Sequence, residues 1–587
     1  MPKRGGAVHV TSHRRHYVGK DGRETVYETH LLRRSWREDG KVRNETVANL
    51  SHLPGELIEL IARSLKGEAF VPAGSAASVT RSLPHGHVAA VWAQAKALGL
   101  PALLGPAGRD RDLALGLIVS RVIRPGSKLA TTGWWADTTL GADLGLADAG
   151  TDEVYAAMDW LLARQDSIEA TLAARHLNPT ANPSRMALFD LSSSWVTGRH
   201  CPLAARGYSR DGRKGEPQIE YGLLTDPDGR PVAVRVFNGS TADPTAFTDA
   251  VQIVRTRFGL RQMVMVGDRG MITAARIEAL KKLGGLGWLT CLRAPAIAAL
   301  AAADGPLQLS LFDEQDLAEI THPDYPGERL IACRNPALAA DRARKRAELL
   351  AATETLLAPI TAAVTAGRLR GADKIGYKLG RVIDKYKMAK HFRWTATDTS
   401  LSIERDQPRI DAEAALDGIY VIRTSVPADQ LDPAAAVTAY KRLARVERDF
   451  RSLKTIDLQL RPIHHRLEDR VRAHVLICML AGYLVWHLRA AWAALTYTDE
   501  HPTTTRPNPV APARRSASAD RKAARHRDQH DQPVRGFRGL LDHLATLTRN
   551  DLRYGPDGPV VPTLAEPTTT QRRAFDLINA PIPLTLT

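Results

Sequence analysis

RMALFDLSSSWV (residues 185–196) and PQIEYGLLTDPDGRPVAVRVF (residues 217–237) are the stretches of sequence that decide the fold. The first predicts an apolar strand that ends on Asp190. The second predicts two strands joined by a turn at residues 226–229, which read Asp, Pro, Asp and Gly. Together the three strands predict a meander.

The chain then alternates between helix and strand. An alanine-rich segment (244–257) predicts a helix, and RQMVMVGDRG (261–270) predicts a second strand that ends on an aspartate, Asp268. AARIEALKKL (274–283) predicts another helix, and GWLTCLR (287–293) predicts the next strand. A three-stranded meander that passes into βα units is the layout of a ribonuclease H-like core. The predicted fold class is therefore α/β, with a ribonuclease H-like catalytic core.

The rest of the chain divides around this core. Turn dipeptides with β-branched flanks predict β-hairpins near the N-terminus, and a helical pattern begins at about residue 54. A segment of Pro, Ser, Thr and charge without an apolar face predicts a linker. The predicted regions are an N-terminal β-rich region (1–75), a helical region (76–180), the first part of the core (185–293), an inserted α+β region (294–417), the second part of the core (418–495), a basic linker (502–535) and a C-terminal segment (536–587).

The charge of the chain points to a polyanionic partner. The 587 residues carry a formal net charge of +16, and nucleic acid is the commonest partner of so basic a protein.

The four cysteines are scattered without a CxxC pair, which argues against a disulfide framework and a zinc site. No secretory signal is visible, and the longest apolar run (475–486) is too short to span a bilayer. We therefore expect a cytoplasmic protein without a membrane partner, and a buried helix over residues 470–490.

The two aspartates at predicted strand ends are candidates for a metal site. An ionised carboxylate there is costly if it is buried without a partner. A divalent cation supplies that partner, because hard oxygen ligands suit Mg²⁺. Phosphodiester chemistry uses two such ions about 4 Å apart, which activate the attacking oxygen and stabilise the leaving one. The alternative is that Asp190 and Asp268 cap helices or form turns, and residue chemistry alone leaves both interpretations open.

A third acidic ligand is expected from AYKRLARVERDFRSLK (439–454), a cationic helix with Glu447 and Asp449 in its middle. Tyr440, Glu447 and Lys454 are seven residues apart and lie along one flank of the apolar stripe, whereas Asp449 borders the opposite flank. Both acids are at the margin of the buried face. Spacing alone does not decide between them. The apolar stripe consists of Leu443, Val446, Phe450 and Leu453.

The pattern Y-x₆-E-x₆-K on a helix, after two strand-end aspartates, resembles the DDE transposases of bacterial insertion sequences. The branch in question has a Y…R…E…K signature and a large insertion before the glutamate. Several other stretches of this chain are similar to the same family, and together they span most of residues 8–490. They are RVIRPGSKLAT (121–131), FNGSTAD (237–243), VMVGDRGMIT (264–273) and LRPIHHRLEDRVRAHVLICMLAGYL (460–484).

The resemblance implies that Asp190, Asp268 and Glu447 are the catalytic, metal-binding triad. It implies Mg²⁺ as the cofactor, with Mn²⁺ as a substitute. Tyr440 and Lys454 correspond to the flanking tyrosine and lysine of the signature, which makes them candidates for DNA contact.

Two arginines are further candidates for contact with DNA phosphates, namely Arg269 and Arg442, although a charged residue on a helix is usually just solvated.

The chain departs from the signature at Leu443, where the family has arginine; either Arg442 or Arg445 substitutes for it, or this copy is weakened. FNGSTAD also has serine where the family usually has asparagine. An intrahelical ion pair with Arg445 would explain Asp449.

The family implies a transposase that nicks DNA at the ends of its element and joins the released 3′-hydroxyl to target DNA. The resemblance implies that the helical region (76–180) is a DNA-binding region. The implied partners are double-stranded DNA, both terminal inverted repeats and target, and a second copy of the chain in a synaptic homodimer, at the bacterial nucleoid. Three rivals stay open. They are a nuclease on the same fold, an inactive DNA-binding remnant, and a phosphatase that uses Asp190 as nucleophile but lacks the second acid, since Ser192 stands there.

Overall fold

The protein was analysed as a computed structural model that describes residues 6–68, 70, 77–213, 215–302, 305–313, 315–502, 508–555 and 557–586. The chain forms two units. One consists of residues 1–82 and 550–563, and the other consists of residues 83–549 and 564–587.

The N-terminal strands pair around the predicted turn dipeptides. β1 (Ala7–Val18), β2 (Glu24–Glu38) and β3 (Lys41–Asn49) form an antiparallel sheet in the order β1-β2-β3. Asp39 and Gly40 both have positive φ, as a two-residue hairpin turn requires. Helix α1 (Gly55–Leu65) and strand β4 (Ala77–Pro84) follow. The helical pattern predicted from residue 54 is therefore interrupted by a strand.

The second unit begins with a helical region that agrees with the predicted pattern. Helix α4 is buried over residues 113–123, so it forms the centre of this region. The helices are α2 (Gly86–Ala97), α3 (Leu100–Leu104), α4 (Arg109–Ile123), α5 (Lys128–Trp135), α6 (Thr139–Asp143), α7 (Thr151–Leu162) and α8 (Gln165–His176).

The predicted order of elements over residues 185–293 is confirmed. It consists of β5 (Met186–Trp195), β6 (Gln218–Thr225), β7 (Pro231–Asn238), α9 (Asp243–Gln252), β8 (Met263–Val266), α10 (Ala274–Leu283) and β9 (Leu286–Cys291). The strands lie in the order β7-β6-β5-β8-β9, with β5, β8 and β9 parallel and the meander antiparallel. This order fits a ribonuclease H-like core. Two details of the prediction are wrong. Strand β5 does not end on Asp190 but continues to Trp195, because β6 pairs with it that far. Strand β8 ends at Val266, two residues before Asp268.

The inserted region extends the same sheet. Its elements are α11 (Ala294–Leu300), β10 (Leu317–Ile320), β11 (Arg329–Arg334), α12 (Pro336–Thr365), α13 (Ala372–Ile383), β12 (Phe392–Ala396), β13 (Leu401–Arg405) and α14 (Gln407–Ala414), and the core resumes with β14 (Ile419–Thr424). Strand β14 pairs with β9 on one side and with β11 on the other. The full order is therefore β10-β11-β14-β9-β8-β5-β6-β7, and Arg334 at the end of β11 lies opposite Ile419 at the start of β14.

The single helix predicted over residues 439–454 is divided. It consists of α15 (Pro433–Lys441), α16 (Leu443–Arg451) and a π-helical turn, Ser452–Ile456. The break at Arg442 is a tighter turn, in which the Arg445 N–H donates to the Arg442 carbonyl (2.8 Å). Tyr440, Glu447 and Lys454 therefore do not share one continuous helix.

The predicted buried helix is confirmed as α17 (Glu468–Ala491), although it is longer than its apolar run. Helices α12 and α17 are both long and apolar enough to cross a membrane by length and composition. Most of the apolar part of α17 is buried inside the protein, in contact with α4, α7 and β7.

The C-terminal part contains more structure than its composition predicts. Residues 502–535 include α18 (Ala517–Arg525), so the prediction of a linker is wrong for this helix. The Lys522 ammonium anchors the helix by donating to the carbonyls of Ala493 (2.8 Å) and Thr498 (2.7 Å). The remaining elements are α19 (Phe537–Ala545), β15 (Thr548–Tyr554), β16 (Val560–Leu564) and α20 (Thr569–Asp576), and β4, β15 and β16 form a sheet in the order β16-β15-β4.

Candidate active site

Two parallel strands place Asp190 and Asp268 at matched positions. Leu188 of β5 lies opposite Val266 of β8, and each aspartate is the second residue after its member of this pair. Because residues two apart in a strand lie on the same face, Asp190 shares the face of Leu188 in β5. Asp190 is half-buried and accepts a hydrogen bond from the Leu191 N–H (2.8 Å), whereas Asp268 is exposed in the loop after β8.

Helix α16 brings Glu447 to the same place. Phe450 on the buried side of this helix packs edge-on against Tyr221 of β6, with 5.7 Å between ring centroids. Burial, together with the neighbouring carboxylates of Glu447 and Asp268, raises the pKa of Asp190 to about 7. Glu447 and Asp268 therefore both lie close enough to Asp190 to oppose its ionisation, and we call these three acids the acidic site.

Asp449 lies on the other flank of α16, against the turn between β6 and β7. A Cβ atom on Gly229 in that turn would lie 3.1 Å from Asp449 Oδ2. The predicted ion pair with Arg445 is wrong, because Arg445 pairs with Asp228 instead (2.7 Å). Asp449 Oδ2 is buried without a hydrogen-bond partner in the part of the chain that the structure describes, and burial raises the pKa of Asp449 to about 8.

Arg210, in the loop between β5 and β6, lies near Asp190 of the acidic site, because its positive charge opposes the rise in the pKa of Asp190. Its guanidinium lies 3.1 Å from Glu220 and also pairs with Asp243, and its backbone N–H donates to Ser193 Oγ (3.0 Å). Burial raises the pKa of Glu220 to about 7, although Arg210 opposes the shift. This group was not predicted from the sequence. Its signal was an acid, Glu220, inside an otherwise apolar strand, where a buried carboxylate needs a cationic partner.

Lys454 is buried rather than free for a ligand. It is 8% exposed, and its ammonium donates to Asp211 Oδ1 (2.7 Å). Arg461 contacts the same oxygen. Burial lowers the pKa of Lys454, and Asp211 opposes that shift. Asp211 therefore holds two cations at one fixed point of the loop that also carries Arg210.

We expect Asp211→Asn to destabilise the fold strongly, since it leaves Lys454 and Arg461 without their counter-charge. Removing one partner of a buried ion pair costs about 3–5 kcal/mol. The matched control is Asp228→Asn, which removes an exposed partner of Arg445 and should cost at most about 1 kcal/mol. Denaturant unfolding of the two variants measures the difference. Equal stability of the two variants would mean that Asp211 does not hold the cations in solution.

The remaining predicted contact residues differ in their positions. Tyr440 is half-buried; burial raises its pKa, and so do Cys291 and Asp268, while Arg269 opposes the shift. Tyr440 and Arg269 therefore lie near the acidic site. Arg442 is half-buried at the break between α15 and α16. Leu443, which occupies the position of the signature arginine, packs against the hydrophobic core.

The donor set fits a hard divalent cation. The three acids supply only carboxylate oxygens, which Mg²⁺ prefers over imidazole and thiolate. Glu447 and Asp268 oppose ionisation of Asp190, and positive charge in the site would relieve that repulsion. Within the described residues, no three side chains of His, Cys, Asp or Glu are already arranged as a metal cage.

Two known protein families match the sequence of this chain. The family described as "Transposase DDE domain" matches residues 192–484, a range that includes Asp268 and Glu447 and begins two residues after Asp190. The family described as "IS1634 family transposase, N-terminal domain" matches residues 18–74. The chain belongs to the DDE transposases of insertion sequences, and it is an enzyme of that class.

Other comparisons are more distant. No curated protein matches the chain. Among solved structures, the cryo-EM structure of a piggyBac transposase synaptic complex with hairpin DNA is similar over 75% of this chain and 71% of that chain, with 8% identity and a TM-score of 0.33. A likeness this low does not assign a fold.

Proposed function

We propose that Asp190, Asp268 and Glu447 together hold divalent metal, Mg²⁺ with Mn²⁺ as a substitute, and that the chain cuts and joins DNA at this site. The observation that carries the proposal is the effect of Glu447 and Asp268 on the pKa of Asp190. When bound, a metal pair activates the attacking oxygen and stabilises the leaving oxygen of a phosphodiester.

The surrounding side chains have roles that follow from their charge. Asp190 loses its proton readily when positive charge enters the site, because its pKa is close to neutral pH. Arg269 and Tyr440 lie near Asp268 and would bind a DNA phosphate. Lys454, fixed by Asp211, would provide positive charge near the other end of α16. Arg442 is the candidate to replace the signature arginine, since Arg445 is engaged with Asp228 on the flank of Asp449.

The proposed reaction has two steps. The enzyme first nicks DNA at the terminal inverted repeats and releases a 3′-hydroxyl, and this hydroxyl then attacks target DNA. Both steps are in-line substitutions at phosphorus, so one site serves both. The N-terminal β-rich and helical regions would recognise the repeats. Two element ends must be brought together, which favours a homodimer at the bacterial nucleoid.

The test is an assay with purified protein, linear DNA that carries the element ends, and a plasmid target in Mg²⁺ buffer. We expect both nicked ends and joined products. Cleavage without joining would favour a nuclease on the same fold. Binding without cleavage would favour an inactive DNA-binding remnant, the alternative suggested by Leu443.

We expect the affinity for element ends to fall steeply with salt, because the chain carries a net charge of +16. Each phosphate that a cation neutralises releases counterions, and about six to ten such contacts would lower affinity by about 10³–10⁵ between about 50 and 200 mM salt. Fluorescence anisotropy with labelled end DNA measures this slope. A nearly constant affinity over that range would contradict a binding mode dominated by phosphate contacts.

A further inference from the structure

Helix α13 of the inserted region carries a row of exposed cations that the active site does not use. Lys374, Lys378, Arg381 and Lys385 follow one another at intervals of four, three and four residues, so they lie along one face; we call these four residues the cation stripe. The first three belong to the helix, and Lys385 lies in the turn after it. All four are exposed, and among the described residues none of them forms an ion pair.

The face of α13 opposite the cation stripe is buried, so the cation stripe faces solvent. Ile375, Leu379 and Ile383 are buried in the small cores between α13, α12 and the hairpin of β12 and β13. The helix therefore presents the cation stripe to solvent and has no free apolar face. This excludes the usual membrane-surface mode of a basic amphipathic helix, which needs its apolar side for the lipid.

An aromatic side chain lies beside the cation stripe. Tyr377 is 68% exposed, and the Arg381 guanidinium is 6.0 Å from its ring centroid. Exposed tyrosine among arginine and lysine residues is a common composition of nucleic-acid contacts, since the hydroxyl can donate to a phosphate and the ring can stack. The nearby acids, Asp373 and Asp384, leave the surface with a net positive charge.

We propose that the cation stripe binds the sugar–phosphate backbone of double-stranded DNA, as a contact surface separate from the catalytic site. The inference rests on the proposed function for the nature of the partner. The cation stripe is about 16 Å long at 1.5 Å per residue, which matches roughly five base pairs of duplex. Contacts of this kind position DNA without reading its sequence. The inserted region would then hold DNA through side chains other than Asp190, Asp268 and Glu447.

The test compares two variants with equal reduction of charge in the inserted region. The first combines Lys378→Gln with Arg381→Gln in the cation stripe. The control combines Arg342→Gln with Lys345→Gln on α12, two exposed cations that lie among the acids Asp341 and Glu348. Glutamine keeps helix propensity close to that of lysine and arginine, so both variants should fold, which circular dichroism checks.

We expect the stripe variant to reduce the slope of log affinity against log salt by about two, because each phosphate that a cation no longer neutralises lowers the slope by about 0.9. The control should leave the slope unchanged. The reduction should be the same for element-end DNA and for a random duplex of equal length. Replacing all four residues of the cation stripe by glutamine should reduce the slope by about three to four.

Three results would overturn the inference. One is an unchanged slope in both stripe variants while the unmodified protein binds DNA, which leaves the proposed function intact. Another is an equal reduction of the slope in the stripe and control double variants. The third is unchanged DNA affinity together with abolished binding to phosphatidylserine vesicles, which would identify a lipid-binding surface. If the unmodified protein bound no DNA at all, the proposed function would be wrong as well.

Discussion

We expect Asp190→Asn and Asp268→Asn each to reduce DNA end cleavage by at least about a thousandfold. A charge-stabilising contact with the reacting phosphate is worth several kcal/mol, and about 4 kcal/mol corresponds to a factor of a thousand in rate. Asparagine has nearly the same shape as aspartate but lacks the negative charge that a divalent cation requires. Cleavage of labelled end DNA in Mg²⁺ and in Mn²⁺ gives the rates.

End binding serves as the control for these two variants. Both should bind element ends with nearly unchanged affinity in a gel-shift assay, because the proposed DNA contacts lie on other side chains. Asp249→Asn, which changes an exposed aspartate of α9, should keep full activity. Full cleavage by Asp190→Asn or by Asp268→Asn would remove that residue from the site.

We expect Glu447→Gln to abolish cleavage and strand transfer, whereas Asp449→Asn keeps most activity. The two acids are two residues apart on α16, yet Glu447 raises the pKa of Asp190 while Asp449 packs against the β6–β7 turn. Quantitative cleavage and joining assays compare the variants. An inactive Asp449→Asn together with an active Glu447→Gln would mean that the helix presents its other flank to the metal.

The control variant Asp449→Asn should also differ from wild type in how its stability depends on pH. Burial raises the pKa of Asp449 from 3.8 to about 8, so between these values the folded state holds a proton that the unfolded chain has released. Wild-type stability therefore decreases as pH rises through this window. Relative to wild type, Asp449→Asn should gain thermal stability between about pH 5 and pH 8 and show no gain below about pH 4.

The core was predictable because its signals are local. Apolar strands with turn residues between them specify β5 to β9, and an acid next to such a strand is conspicuous. The position of Asp190 within β5, rather than at its end, was not predictable, because it depends on how far β6 pairs with β5. The choice between Glu447 and Asp449 needed the family signature, since helical spacing places both at the margin of the buried face.

The contacts that surround the proposed triad were not predictable from spacing. Lys454 and Asp211 are 243 residues apart in sequence, and nothing in either segment specifies the other. The break at Arg442 was not predictable either, because the periodicity of residues 439–454 is that of an unbroken helix. Helix α18 was not predictable either, because its buried residues are Ala519 and Lys522 rather than large apolar side chains.

Because β11 pairs with β14, the two ends of residues 336–417 lie side by side at the edge of the core, and this larger part of the insertion forms a separate excursion of the chain. The chain leaves the sheet at Asn335 and returns at Gly418, and the N–H of Asn335 donates to the Gly418 carbonyl (3.0 Å). Gly418 has a φ of +76°, and a Cβ atom there would lie 2.4 Å from the Asn335 carbonyl oxygen, so the junction requires glycine. Loop-closure entropy grows only with the logarithm of length, about 0.6 kcal/mol for each doubling. Residues 336–417 can therefore be enlarged, shortened or exchanged without moving Asp268 relative to Glu447, so the proposed DNA-contact surface can change independently of the three acids.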